Sequence, residues 1–301
     1  MALASIIDQL RTPDTPAVVN DRTTFLLDDG GIEGMGTERI NLNELSIPSA
    51  FGESGRLKDY GATSADATTQ VFFRDILDRL MEQIDAAEMV VGCVAWLSHF
   101  DVLEALAKKD GVSIIVQKED FLRPDSTAVS DPYAWRKRLR HAYEAIPVGL
   151  SRGKLGGLLG EMLGREYRSH AEELSREWVI EDHMDPIRCV GQAELGGSAQ
   201  PRMHNKFLVF CDLQHGRICP YAVWTGSFNI SVNATRSLEN AVLLKDEAIV
   251  GAYMREFIQI ASVSEPLNWD SPAPTPEWWR GTGATFANFD PLGGDHDFGD
   301  E

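Results

Sequence analysis

His204 and Lys206 stand two apart in MHNKFLVFCD (203–212), at the mouth of an apolar run. FLVF predicts a buried strand, and on a strand residues i and i+2 share one face. An imidazole beside an ammonium is a poor core pair and a good phosphate pair. Downstream lies TGSFN, in which Gly226 closes a strand and Ser227 and Asn229 follow. A glycine at a strand-to-turn junction lets backbone N–H groups and short polar side chains face one point, which suits an anion. Glu239 and Asn240 then precede the apolar strand AVLL. The start of one strand, the end of the next and the start of a third can converge on one cleft.

Those residue types define a chemistry. A neutral imidazole can attack phosphorus and form a covalent intermediate. A carboxylate on its other nitrogen would orient it and stabilise the charge that develops, and Glu239 is the candidate. Lysine and asparagine can bind the non-bridging oxygens as charge builds. No step of this scheme needs a metal, and neither a metal nor a cofactor is expected.

The ordered series HNK, then GSFN, then EN resembles the phospholipase D superfamily, whose signature is HxKxxxxD followed by GSxN and a later acidic residue. The likeness extends in general layout over residues 69–262. It implies that His204 is the nucleophile, Lys206 and Asn229 are phosphate ligands, Ser227 is a polar support and Glu239 is the partner of His204. One departure is visible: the position five after the lysine is Cys211, and Asp212 comes one later. A strand bulge would be needed to bring Asp212 into place. The family site uses two histidines, one attacking and one protonating the leaving oxygen. This chain has one His-x-Lys, because His99, His141, His170, His183, His215 and His296 lack a lysine two residues on. One imidazole cannot be nucleophile and proton donor at once, so the resemblance implies a homodimer with two His204 side chains facing one phosphate.

The elements that must hold these residues are partly legible. VFFRDILDRLMEQIDAA spaces Phe72, Ile76, Leu80 and Ile84 as an amphipathic helix. MVVGCVAWL predicts a buried strand, FDVLEALAKK a helix capped by Ser98 or Asp101, and VSIIVQK a second buried strand. This is a βαβ unit, so the sheet is at least partly parallel. YAWRKRLRHAYEAI (133–146) predicts a basic helix, and a further helix ends near 176–178. IRCVGQ, FLVF, YAVWTG and AVLL predict strands, and EAIVGAYMREFIQIA the last helix. The expected fold is α/β: a phospholipase D-like mixed β-sheet flanked by helices on both faces. Residues 1–66 are expected to be a partly irregular extension, 67–263 the catalytic domain and 264–301 an irregular acidic tail.

Composition bounds the partners. The 301 residues are 43% hydrophobic and 25% charged, ordinary for a globular chain. No run approaches the roughly 18 apolar residues of a membrane span. The N-terminus lacks a basic start, so neither secretion nor stable membrane association is expected, and the cytoplasm is the expected compartment. Cys93, Cys189, Cys211 and Cys219 form no CxxC and suit a reducing compartment. Cys211, His215 and Cys219 flank a hairpin turn more naturally than they bind zinc. RGKLGGLLG lacks the lysine-hydroxyl ending of a phosphate loop.

The net charge of −18 argues against nucleic acid taken alone. Its distribution softens the objection: acids crowd the end of the chain, while Arg136, Lys137, Arg138, Arg140, Arg152 and Lys154 cluster between residues 134 and 154. Tyr133, Trp135 and Tyr143 interleave them, as in single-strand binders. Arg136, Lys137, Arg138, Arg140 and Lys154 are the candidate substrate contacts with Gly226, and a solvated helix face is the equal alternative. The expectation is a metal-independent nuclease acting on DNA, with RNA as an alternative. A lipid hydrolase or transferase on the same site, and a non-catalytic scaffold, are the rivals.

Overall fold

A computed structural model describes residues 40–47, 55–118, 132–150, 185–191, 202–215 and 217–267. All of them fall within one unit, Ile40–Glu301. Met89–Val94 (β5), Gly111–Gln117 (β6), Ile187–Val190 (β7), Lys206–Gln214 (β8), Arg217–Gly226 (β9) and Ala241–Leu244 (β10) carry the sheet. Ala62–Thr63 (β3), Thr69–Phe72 (β4) and Glu265–Pro266 (β11) complete it, in the order β11-β7-β6-β5-β8-β9-β10-β4-β3. Ser46–Ile47 (β1) and Gly55–Arg56 (β2) form a separate ribbon.

β5, β6 and β7 run parallel and the remaining pairings are antiparallel. Every residue of β5 and β6 is buried, because both faces of these strands are covered. Along β8 the side chains alternate. Leu208 and Phe210 join one core with Leu80 and Leu106 of the helices Ile76–Ala86 (α1) and Phe100–Leu106 (α2) and Leu139 of Pro132–Glu144 (α3). Phe207, Val209 and Cys211 join the other, with Met254 and Phe257 of Glu247–Ser262 (α4). The mixed sheet with helices on both faces is thus the expected fold class, and β5–α2–β6 is the expected βαβ unit.

Three local expectations differ. The helix expected from Val71 begins only at Ile76, because Thr69–Phe72 pairs with β10 as β4. Phe72 keeps its apolar role by stacking on Trp224, with ring centroids 5.5 Å apart. Asp75, with φ 51°, turns the chain from strand to helix between them. The N-cap of α2 is His99, and neither Ser98 nor Asp101 caps it. The sheet also reaches past both ends of residues 67–263, through β3 and β11. At β11, the guanidinium of Arg188 donates to Ser264 Oγ (2.8 Å) and to Ser264 O (2.6 Å), and Lys118 pairs with Glu265. These charges are buried, which is tolerable because Lys118 and Glu265 pair with each other and Arg188 is hydrogen-bonded. The helix expected near 176–178 and the acidic tail lie outside the described residues.

Candidate active site

The antiparallel order β8-β9-β10 brings the start of β8, the end of β9 and the start of β10 to one edge of the sheet. His204 and Lys206 are placed there by β8, Ser227 and Asn229 by the turn after β9, and Glu239 by the chain entering β10. Two side contacts fix the approach of His204. Ala95 N–H donates to Asn205 O (2.9 Å), and Met203 N–H donates to the buried carboxamide oxygen of Gln117 (2.6 Å). His204 itself is exposed and Lys206 is half-buried.

The Lys206 ammonium lies 3.2 Å from both ring nitrogens of His204 and donates to the His204 carbonyl at 3.1 Å. A donor equidistant from two diverging lone pairs satisfies neither well. Its charge has a larger effect, lowering the His204 pKa, with burial and Arg202 adding to it. Burial lowers the Lys206 pKa as well, and the charge of Glu239 opposes that shift. The lowered pKa favours the neutral imidazole, which is the form that can attack.

Ser227 and Glu239 lock together. The Ser227 hydroxyl donates to the Glu239 carboxylate and accepts from Asn240 N–H (3.0 Å), while Ser227 N–H donates to Asn240 O (3.1 Å). The expected pairing of Glu239 with His204 is therefore not a contact within one chain: Glu239 meets Ser227, and its charge reaches Lys206. Asn229 has its carboxamide oxygen buried with no hydrogen-bond partner among the described residues. Such an atom costs about 1–3 kcal/mol, a cost that folds tend to carry at functional sites. Ile230, the next residue, donates to Trp96 O (3.0 Å) and accepts from Ser98 and His99 N–H, tying the turn to the end of β5.

Gly226, with φ 155°, closes β9 against β10, and a Cβ there would lie 2.2 Å from Asn240 O. We expect Gly226→Ala to push the two strand ends apart, break the Ser227–Asn240 contacts and destabilise the fold by about 2–4 kcal/mol. Urea unfolding checks this; an unchanged midpoint would show that the close approach is dispensable.

The basic helix is more divided than its sequence suggests. Arg136 is buried, at 6% exposure, on the stripe with Leu139 and Tyr143. Arg138 places its guanidinium 3.8 Å from the centroid of the Phe100 ring, and Arg140 pairs with Glu144 at 2.7 Å. Lys137 is exposed. A single basic face through Arg136, Lys137, Arg138 and Arg140 does not form, because helical periodicity sends Arg136 inward. Lys154 lies outside the described residues.

A bulge exists next to Cys211, but on the other strand. The β8–β9 register shifts between Phe210 and Cys211, and Tyr221 is the unpaired residue beside Pro220. β8 itself stays regular, so Cys211 is fully buried and burial raises its thiol pKa. Asp212 keeps to the Lys206 side of the sheet, about 20 Å further along the strand. There, burial first and the neighbouring Asp212 second push the Tyr221 phenol up to about 12. His215 turns the hairpin between β8 and β9.

No family model matches the chain. An uncharacterized protein of Acanthamoeba polyphaga mimivirus, L381, is 28% identical over 233 residues, which cover 77% of this chain and 75% of that protein. Among solved structures, NucT from Helicobacter pylori is similar at 14% identity and a TM-score of 0.34, over 64% of this chain and 95% of that one. Nuc from Salmonella typhimurium, described as a phospholipase D family member, is similar at 13% identity and a TM-score of 0.33, over 65% and 95%. Phosphatidylserine synthase of Haemophilus influenzae is similar at 13% identity and a TM-score of 0.34, over 69% of this chain and 42% of its own. These are distant likenesses, and the phospholipase D-like reading of the chain stands on His204, Lys206, Ser227, Asn229 and Glu239 at one sheet edge.

Proposed function

We propose that the chain is a metal-independent phosphodiesterase of the phospholipase D-like kind, a nuclease whose preferred substrate is DNA. The observation that carries the reading is the contact of Lys206 with His204 at the end of the strands where the Ser227–Glu239 pair sits. In the proposed reaction a ring nitrogen of His204 attacks phosphorus. The P–N bond forms as the P–O bond to the leaving nucleoside breaks. His204 of a second copy gives its proton to that oxygen. Water then attacks the phosphohistidine, losing its proton to the same second imidazole, and the phosphomonoester leaves. Lys206 and Asn229 hold the non-bridging oxygens, and Glu239 balances Lys206 and fixes Ser227.

The test is incubation with single- and double-stranded DNA and RNA in excess EDTA. Cleavage that His204→Ala abolishes is the expected result, and it also names the preferred strand. A folded protein that cleaves none of them but hydrolyses a phospholipid ester would replace the nuclease reading with the lipid one.

The acid side of the pH–rate profile is a second check. A neutral nucleophile is lost as pH falls through its pKa, so a lowered pKa extends activity to lower pH. The acid limb should lie below the ordinary histidine value of 6.5. Lys206→Met removes the main cause of the shift, so the limb should move up while the rate drops about 10²–10³-fold. An acid limb that does not move would show that Lys206 does not set the charge state of His204.

A further inference from the structure

A cavity of about 530 Å³ opens beside the candidate site. Phe228, which lines it, is the residue between Ser227 and Asn229. Arg74 lines it from the other side. Arg74 follows Phe72 by two residues, Glu239 precedes Ala241 by two, and Phe72 and Ala241 are cross-strand partners. Two lining residues, Phe228 and Arg74, are thus neighbours of Ser227, Asn229 and Glu239 in sequence or in strand register, although those three do not line the cavity themselves. A further wall comes from Asn41, Asn43, Glu44, Arg56, Leu57 and Asp59, and the Asn43 carboxamide fastens it by donating to Thr235 O (3.2 Å) and Ser237 O (3.1 Å).

The lining is amphoteric. Arg74 makes one hydrogen bond among the described residues, from Nη1 to Phe73 O (2.6 Å), and its Nε is buried without a partner. An unpaired buried guanidinium N–H is costly, and the Nη2 group, which makes no hydrogen bond among the described residues, is the part of Arg74 that a ligand acceptor could meet. Arg56 adds a second guanidinium at the rim. Four acidic residues, Glu44, Asp59, Asp75 and Asp78, all solvent-exposed, also line the cavity. Glu44 and Asp59 already accept from Asn41 Nδ2 (3.0 Å) and Gly61 N–H (2.8 Å). None of the four comes within ion-pair distance of Arg74 among the described residues. This chemistry disfavours an acyl chain, which would strip water from four carboxylates, and a second phosphate, which they would repel. It suits an uncharged group with both donors and acceptors and an aromatic face. The rings of Phe73 and Phe228 lie on the lining, and the volume falls within the usual range of small-molecule sites.

We propose that this cavity holds the nucleoside flanking the scissile phosphate, with Arg74 on the acceptor edge of its base. The proposal rests on the phosphodiesterase reading and names the substrate class at the same site. The test compares kcat/KM for thymidine 5′-(4-nitrophenyl) phosphate and bis(4-nitrophenyl) phosphate, in wild type, Arg74→Ala and Thr235→Trp, which fills the cavity. The expected wild-type preference for the nucleoside ester is about tenfold or more, falling toward unity in both variants. A wild-type ratio near one, or a preference that both folded variants retain, overturns the nucleoside site and leaves the phosphodiesterase reading intact. If neither ester is hydrolysed, cleavage of DNA in EDTA decides the phosphodiesterase reading, and calorimetry with thymidine 5′-phosphate against inorganic phosphate decides the cavity separately. Tighter binding of the nucleotide that Arg74→Ala abolishes upholds the site; equal binding, or binding that Arg74→Ala leaves unchanged, overturns it.

Discussion

His204→Ala should lower phosphodiester cleavage by about 10⁴-fold, roughly 5.5 kcal/mol of transition-state stabilisation, with little change in stability. His204 is exposed, so removing its ring leaves no core cavity, and a surface truncation away from packing costs within about 0.5 kcal/mol. On the proposed reading, what it removes is the atom that bonds to phosphorus. Lys206, Asn229 and the Ser227–Glu239 pair remain to bind the diester, so KM should change far less than kcat. Rapid quenching of the wild type with a labelled substrate should trap phosphate on the protein through an acid-labile, alkali-stable bond. The variant should trap none. Activity within about tenfold of wild type in His204→Ala would end the nucleophile assignment, wherever else the chemistry resides.

Mixing wild type with His204→Ala should reduce activity more steeply than dilution. If each working site needs two His204 side chains, random exchange at equal amounts leaves only about a quarter of the dimers competent. If each chain works alone, half of the activity survives. In the two-histidine scheme the attacking imidazole must be neutral while its partner holds the proton for the leaving oxygen. One His-x-Lys per chain supplies one such group. Subunit exchange, monitored by mass after a tag is placed on one partner, must be complete before rates are compared. A linear fall with the fraction of variant would point to a second group within the chain. The buried His99, whose Nδ1 has no hydrogen-bond partner among the described residues, would be the first residue to replace.

Sequence and structure part company where one pattern fits two geometries. The continuous apolar runs of β5 and β6 were legible because only a strand covered on both faces buries every residue. Phe72 was not, because fourfold apolar spacing also fits a strand followed by a helix when the junction is a left-handed residue such as Asp75. His204, Lys206, Ser227, Asn229 and Glu239 share one end of the sheet because successive antiparallel strands β8, β9 and β10 start and finish there. Their pairings did not follow, since a carboxylate within reach of a hydroxyl and an ammonium chooses by ångström-scale geometry. Arg136 read as a surface charge because composition does not say which helical stripe faces inward. Gln117 and Arg74 were missed altogether. The one signal for Gln117 was a carboxamide ending an otherwise apolar strand, and for Arg74 a cation wedged between Phe73 and Asp75.

The two outermost strands of the nine-stranded sheet, β3 and β11, are two residues each, and β11 ends in Pro266. A long bare border would offer rows of backbone donors and acceptors on which other chains could crystallise into fibrils. Here each border is too short to template a neighbour, and the proline removes a donor from one of them. Among the described residues, neither end of the sheet therefore offers a long template for side-by-side stacking, which leaves the proposed pairing through His204 to side chains and loops.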